Sequence, residues 1–157
     1  MSTLPTTPTL EGFVQFCQNV VGIPVAVLPT DSIQYEVAYE TAQQLVPFEY
    51  MVQMSPQIAT LCIYYWGASV LIQYGQDNIN AEPPNQVFFE TIRKNFGVNN
   101  FTAGVITSAS DNGTSESMAV GMGLQNLTLT DLQRLKDPYG RQALAWMQDI
   151  GTLWGLT

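Results

Sequence analysis

The sequence predicts a mainly α fold: four to five helices bundled round one long central helix, with a protruding β-hairpin or extended loop and a C-terminal helical tail. Three observations predict it. Residues 50–76 are 27 consecutive positions without a charged side chain. On either side of that run apolar residues recur three and four apart, the spacing of a helix with one buried face. From residue 101 the pattern changes to short, weakly alternating stretches flanking Asn112-Gly113, and Asn-Gly between two such stretches is the strongest short-range hairpin signal.

Residues 1–9, rich in Ser, Thr and Pro, read as a flexible arm. Phe13, Val14, Phe16, Cys17, Val20 and Val21 then mark a first helix that stops at Gly22, with Pro24 beyond. Caps from Pro29-Thr30-Asp31-Ser32 open a second helix bearing Ile33, Val37, the stretch 39–42, Leu45 and Val46, which Pro47 limits. Glu36 and Glu40 lie four apart on its exposed face. Ser55 can cap the third helix and Pro56 suits its first position, after which residues 58–74 are apolar almost throughout. A helix apolar all round is buried on every face. The Gly67-Ala68-Ser69 triplet beside Trp66 points to the close approach of a neighbouring backbone.

A polar loop with Pro83-Pro84 precedes a fourth helix near residues 85–96, packing Val87, Phe88, Phe89, Ile92 and Phe96 and ending at Gly97. Arg93 and Lys94 fall in its last turn, where cations complement the helix dipole. The hairpin or loop occupies residues 101–122, with Asp111, Asn112 and Gly113 at its tip. Residues 128–157 read as docking helices: a Thr130…Gln133 capping box, then a restart at Asp137-Pro138, where Asp caps and Pro opens a helix. The apolar end, with Trp154 and Leu156, is expected to dock on its own bundle or on a neighbour.

The 157 residues suit a single domain. Its charged fraction is 11% against about 25% in typical domains, so much of the surface is expected to face protein, not water. Residues 1–92 hold eight carboxylates and no Lys or Arg, whereas residues 93–157 hold five acids and five bases. That asymmetry favours head-to-tail association or a basic partner, and disfavours binding to phosphate backbones. A membrane span through the uncharged run competes with the buried-helix reading. Gln57, Thr60, Ser69 and Gln73 would then meet lipid, Glu49 and Asp77 flank it, and no basic residue sets an orientation. No signal peptide is visible, and Cys17 and Cys62, far apart in apolar patterns, read as small buried hydrophobes in a reducing compartment.

Little in the sequence points to catalysis. It contains no histidine, which removes His-dependent triads and most zinc sites. No nucleophile-elbow or phosphate-loop motif occurs, and no cofactor or metal is expected. Glu36 and Glu40 could act as an acid–base pair, yet such pairs are usually a solvated face. Asp111, Asn112 and Glu116 lack the spacing of a calcium loop. Arg134, Lys136 and Arg141, without interleaved aromatics, fit pairing with the acidic part of another copy better than they fit nucleic acid.

Four stretches carry a resemblance: Phe13-Val-Gln-Phe-Cys-Gln-Asn-Val-Val-Gly-Ile-Pro24, Ala59-Thr-Leu-Cys-Ile-Tyr-Tyr-Trp-Gly-Ala68, Thr107-Ser-Ala-Ser-Asp-Asn-Gly-Thr-Ser-Glu-Ser117 and Asp137-Pro-Tyr-Gly-Arg-Gln142. As a general pattern across most of the chain, they resemble the small head–tail connector, or neck, proteins of tailed bacteriophages. The resemblance implies a homo-oligomeric ring, commonly of twelve copies, between the portal and the tail or neck proteins. DNA would pass through its channel without sequence-specific binding. It implies a protein made in the host cytoplasm and resident in the virion neck, with no catalytic residue to carry over. The 101–122 segment departs from some adaptors and leaves a stopper or tail-completion role open. A small carboxylate-based hydrolase or binding protein is the alternative from another class. The interface expected on the connector reading comprises Trp66, Gly67, Ala68, Asp111, Asn112, Gly113, Arg134, Lys136, Arg141, Trp154 and Leu156.

Overall fold

The computed structural model describes residues 5–99 and 133–150, together with the backbone of residues 108–111 and 114–117. The fold is mainly helical. The described residues form six α-helices: α1 Leu10–Phe16, α2 Ile33–Leu45, α3 Phe48–Met54, α4 Pro56–Tyr74, α5 Phe88–Phe96 and α6 Pro138–Asp149. Each of the other five packs against α4.

Thr9 caps α1, its hydroxyl accepting the Gly12 N–H at 3.0 Å. The helix then widens into a π-turn over Cys17–Val21, which Gly22 closes in the left-handed conformation at φ 82°. A π-turn spends an extra residue per turn. Cys17 is the last fully buried residue here; Val21 is half-buried against the core, but Val20, which the apolar spacing assigned to the same face, is 54% exposed. Ser32 caps α2 as expected. The buried face of α2 is Tyr35, Ala38, Tyr39 and Ala42, while Ile33, Val37 and Leu45 point outward. Its two alanines let α4 come close, and close approach fixes which stripe faces inward.

The sequence reading contains no counterpart of α3. Pro47, read there as a terminator, also starts this seven-residue helix. α4 keeps the expected bounds: the Ser55 hydroxyl accepts the Ile58 N–H at 3.4 Å, and Pro56 occupies the first turn. Twelve of its nineteen residues are buried. Its own chain supplies most of the cover, leaving Ile58, Leu61 and Tyr65 as a half-buried apolar stripe toward its N-terminal end and Tyr74 exposed at the other. Phe13 sits at the centre of the aromatic packing, with ring centroids 5.8 Å from Tyr39 and 6.0 Å from Tyr64. Gly67 is required there, because a Cβ at that position would stand 2.8 Å from the Phe13 ring. No helix among the described residues is long and apolar enough to cross a membrane.

The junction of α4 and α5 shows how side chains complete helix ends over a distance. The carboxylate of Asp77 accepts the N–H groups of Phe89 at 2.6 Å and Glu90 at 3.0 Å, capping α5 from eleven or more residues away. Arg93 answers by donating to the Gly75 carbonyl at 2.8 Å beyond the end of α4, and its second guanidinium nitrogen lies 3.7 Å from Asp77. Phe89 is fully buried, but Val87 and Phe96, expected to pack, are 46% and 41% exposed. A 3-10 turn over Asn85–Val87 precedes α5 and carries Val87 off the packed face. The backbone of Ser108–Asp111 runs antiparallel to Thr114–Ser117, with Ser108 opposite Ser117 and Asp111 opposite Thr114.

Candidate functional site

The most concentrated chemistry among the described residues lies where α6 meets the C-terminal half of α4. Asp137 is the N-cap of α6, as its sequence position before Pro138 predicts; one side-chain oxygen accepts the Gly140 N–H at 2.8 Å. Its other oxygen accepts the Ser69 hydroxyl at 2.6 Å and the Gln73 amide at 2.7 Å, both from α4. Asp137 and Ser69 are wholly buried. Gln73 also donates to the Gln133 carbonyl at 2.9 Å, and the Tyr74 hydroxyl donates to the Gln133 side chain at 2.9 Å. Arg134, only 4% exposed, donates to Ser69 and lies with its guanidinium 5.4 Å from the Trp66 ring centroid, within cation–π range.

This cluster is a structural lock. A buried carboxylate is tolerated when its oxygens accept several hydrogen bonds, and here three donors converge on Asp137. The sequence marks Asp137 as a cap but leaves its partners on α4 unread. A signal was available: Ser69 and Gln73 stand four apart in the otherwise apolar C-terminal half of α4, which puts both on one face.

The expected interface residues fall into three groups. Trp66, Gly67 and Ala68 are buried inside their own chain, so the neighbouring backbone that the small triplet anticipated is this chain's own: the Ala38 carbonyl lies 3.4 Å from where a Gly67 Cβ would be. The three bases do not share a surface either. Arg134 is buried over Trp66, Lys136 donates to the Val98 carbonyl at 3.0 Å, and Arg141 is exposed, donating to the Leu135 carbonyl at 3.5 Å. Their nearness in sequence straddles the start of α6, and the cap at Asp137 turns the chain between them. Asp111 contributes described backbone only, whereas Asn112, Gly113, Trp154 and Leu156 lie outside the described residues, as do Thr130 of the expected capping box and the arm before residue 5.

Glu36 and Glu40 are both exposed on the outer side of α2, beside Val37 and Thr41. Among the described residues no group of three or more His, Cys, Asp or Glu is placed to hold a metal ion. Both cysteines are free and buried. Burial pushes the Cys62 thiol up to about 12 and that of Cys17 upward as well; burial likewise raises the Tyr35 phenol to about 12. Thiols held in this state are poor nucleophiles near neutral pH.

A pH dependence follows. The ordinary values of these groups are 9.0 for the thiols and 10.0 for the phenol, so between about pH 9 and 12 the unfolded chain releases protons that the folded chain keeps. Stability is therefore level from neutral pH to about 8.5 and falls as pH rises through that window. Urea midpoints measured in steps from pH 7 to 11 will show the decline beginning near pH 9; a flat profile would contradict the burial of these groups.

No family model matches the chain, and no curated protein or solved structure shows significant similarity to it.

Proposed function

We propose that the chain is a non-enzymatic structural protein of a bacteriophage virion, a subunit of a homo-oligomeric neck ring that joins portal to tail. The observation that supports this most is the outer side of α2. Ile33, Val37 and Leu45 are 65%, 55% and 47% exposed there, beside Glu36 and Glu40. Ile33 and Val37 lie one turn apart and line a shallow groove with Tyr74, itself 56% exposed, and exposed apolar side chains grouped beside polar residues are characteristic of surfaces that other proteins cover. The low charged fraction and the wholly acidic character of residues 1–92 agree with this reading, as does the resemblance to connector proteins.

On this reading the helices form a bundle with α4 as its axle. Residues 101–122 are its protruding hairpin or extended loop. Twelve copies is the number the resemblance implies, with DNA passing through an acidic channel. Head-to-tail contact between copies would set the acidic α2 side against exposed bases such as Lys94 and Arg141. A stopper or tail-completion role differs only in the layer of the neck that the ring occupies. The hydrolase alternative rests on Glu36 and Glu40, which stand on an open helix side.

Light scattering after size exclusion, with and without purified portal, tests the proposal, and labelled virions imaged by electron microscopy give the layer. The expected result is a ring-sized species, alone or with portal, and label at the neck. A chain that stays monomeric with portal present and is missing from virions overturns it.

A further inference from the structure

Two outward stripes of this chain share one spacing. On α2, Ile33, Val37 and Glu40 follow at intervals of four and three, a stripe about 10 Å long on one side of the helix. At the opening of α5, Val87, Thr91 and Lys94 repeat those intervals, and all three are exposed. The first stripe runs apolar, apolar, acid; the second runs apolar, methyl-bearing, base. Tyr74 stands beside Ile33 and Val37 as a wall of the shallow groove along α2.

We propose that these stripes are the two halves of one contact between copies: α5 of one subunit lies parallel to α2 of the next, Val87 against Ile33 and Tyr74, Thr91 against Val37, and Lys94 paired with Glu40. The inference rests on the head-to-tail association proposed above and names its two surfaces. Charge selects the partner. Residues 1–92 contain no Lys or Arg, so a second α2 laid on this one would set Glu36 and Glu40 against their own copies. The counter-surface must bring a base, and all five bases lie in residues 93–157. Arg93 is engaged by Asp77 and the Gly75 carbonyl, Arg134 is buried, and Lys136 donates to the Val98 carbonyl, which leaves Lys94 and Arg141 as the exposed ones. The exposed side chains of α6 around Arg141 include no large apolar one, whereas Lys94 shares its stripe with Val87. The remaining acids set the direction. In the parallel alignment Glu36 faces the Thr91–Asn95 edge of α5, and Glu90 faces the Val37–Thr41 edge of α2. Reversing one helix would oppose Glu36 to Glu90 and move Lys94 from Glu40 to Ile33.

Mixed cysteine variants of the full-length chain test the contact, with Cys17 and Cys62 staying buried. Under mild oxidation, Val37→Cys chains should join Thr91→Cys chains at least about tenfold faster than they join Ala145→Cys chains, whose new thiol is exposed on α6. Faster pairing of Val37→Cys chains with one another would assign α2 to a two-fold contact, and rates equal to the control would leave α2 to a different protein; either result overturns the proposal. Charge exchange, followed by sedimentation equilibrium, gives a second reading. Glu40→Lys and Lys94→Glu should each weaken self-association by about fivefold or more and, combined in one chain, return it to within about twofold of wild type. A combined variant no better than the single ones overturns this contact and leaves the ring standing. Wild-type chains that neither associate nor join portal remove the ring and this contact together.

Discussion

Replacing Asp137 by alanine lowers the stability of the fold by about 3–5 kcal/mol, read from the shift of the urea unfolding midpoint at constant slope. The substitution removes the cap of α6 and, at the same stroke, the acceptor for Ser69 and Gln73. Loss of a cap alone costs about 1 kcal/mol. The larger figure arises because the Ser69 hydroxyl is wholly buried and has no water to turn to. Arg134 also remains buried in the same pocket, donating to that hydroxyl. Asp137→Asn keeps an oxygen for the cap and presents an amide where two donors converge, so its cost should fall between those of wild type and alanine. A drop below about 1 kcal/mol for the alanine variant would show that α6 is held by its apolar face alone.

The second large effect is at Ala68. Its side chain is wholly buried in the middle of α4, with Gly67 against Phe13 on one side and Ser69 in the polar lock on the other. Ala68→Glu forces both volume and an unpaired carboxyl into that space. The cost should exceed about 5 kcal/mol, comparable to the whole stability of an ordinary domain, and the chain should fail to show a cooperative transition. Glu36→Gln, on the exposed side of α2, should move the stability of the fold by no more than about 0.5 kcal/mol and, as one of several acids on that side, weaken assembly slightly without abolishing it. A well-folded Ala68→Glu chain beside a functionally dead Glu36→Gln chain would reverse the order of importance and favour carboxylate chemistry.

Local signals that settle backbone direction were legible in the sequence. Ser55-Pro56 and Asp137-Pro138 open α4 and α6 where they were expected, and Gly22 and Gly97 end their helices in left-handed geometry. The uncharged run marked α4 as central because burial on all faces requires apolar residues on all faces. Facing and partnership were harder to read. The outward turn of Ile33, Val37 and Leu45 depends on which stripe of α2 lets α4 approach most closely, and Ala38 and Ala42 decide that through packing. α3 is too short to show a periodicity of its own. Arg134 looks solvated in sequence, since nothing local reveals that Trp66 will lie beneath it. Sequence spacing likewise gave no pairing of Asp137 with Ser69 and Gln73, which lie 68 and 64 positions away.

Those separations bear on how the protein is made. α6 joins α4 through contacts spanning 64 to 81 positions, from the Gln73–Asp137 bond to the Cys62–Ala143 contact. At synthesis rates of about 5–20 residues per second, α4 emerges from the ribosome seconds before its last covering helix exists. During that interval Ser69, Gln73 and the surrounding apolar side of α4 stand uncovered on a nascent chain. Folding of this protein is in that sense a closing event, completed from the C-terminal end, and a pause in translation between residues 75 and 137 prolongs the period in which it is most open to capture by a chaperone or by another unfinished copy.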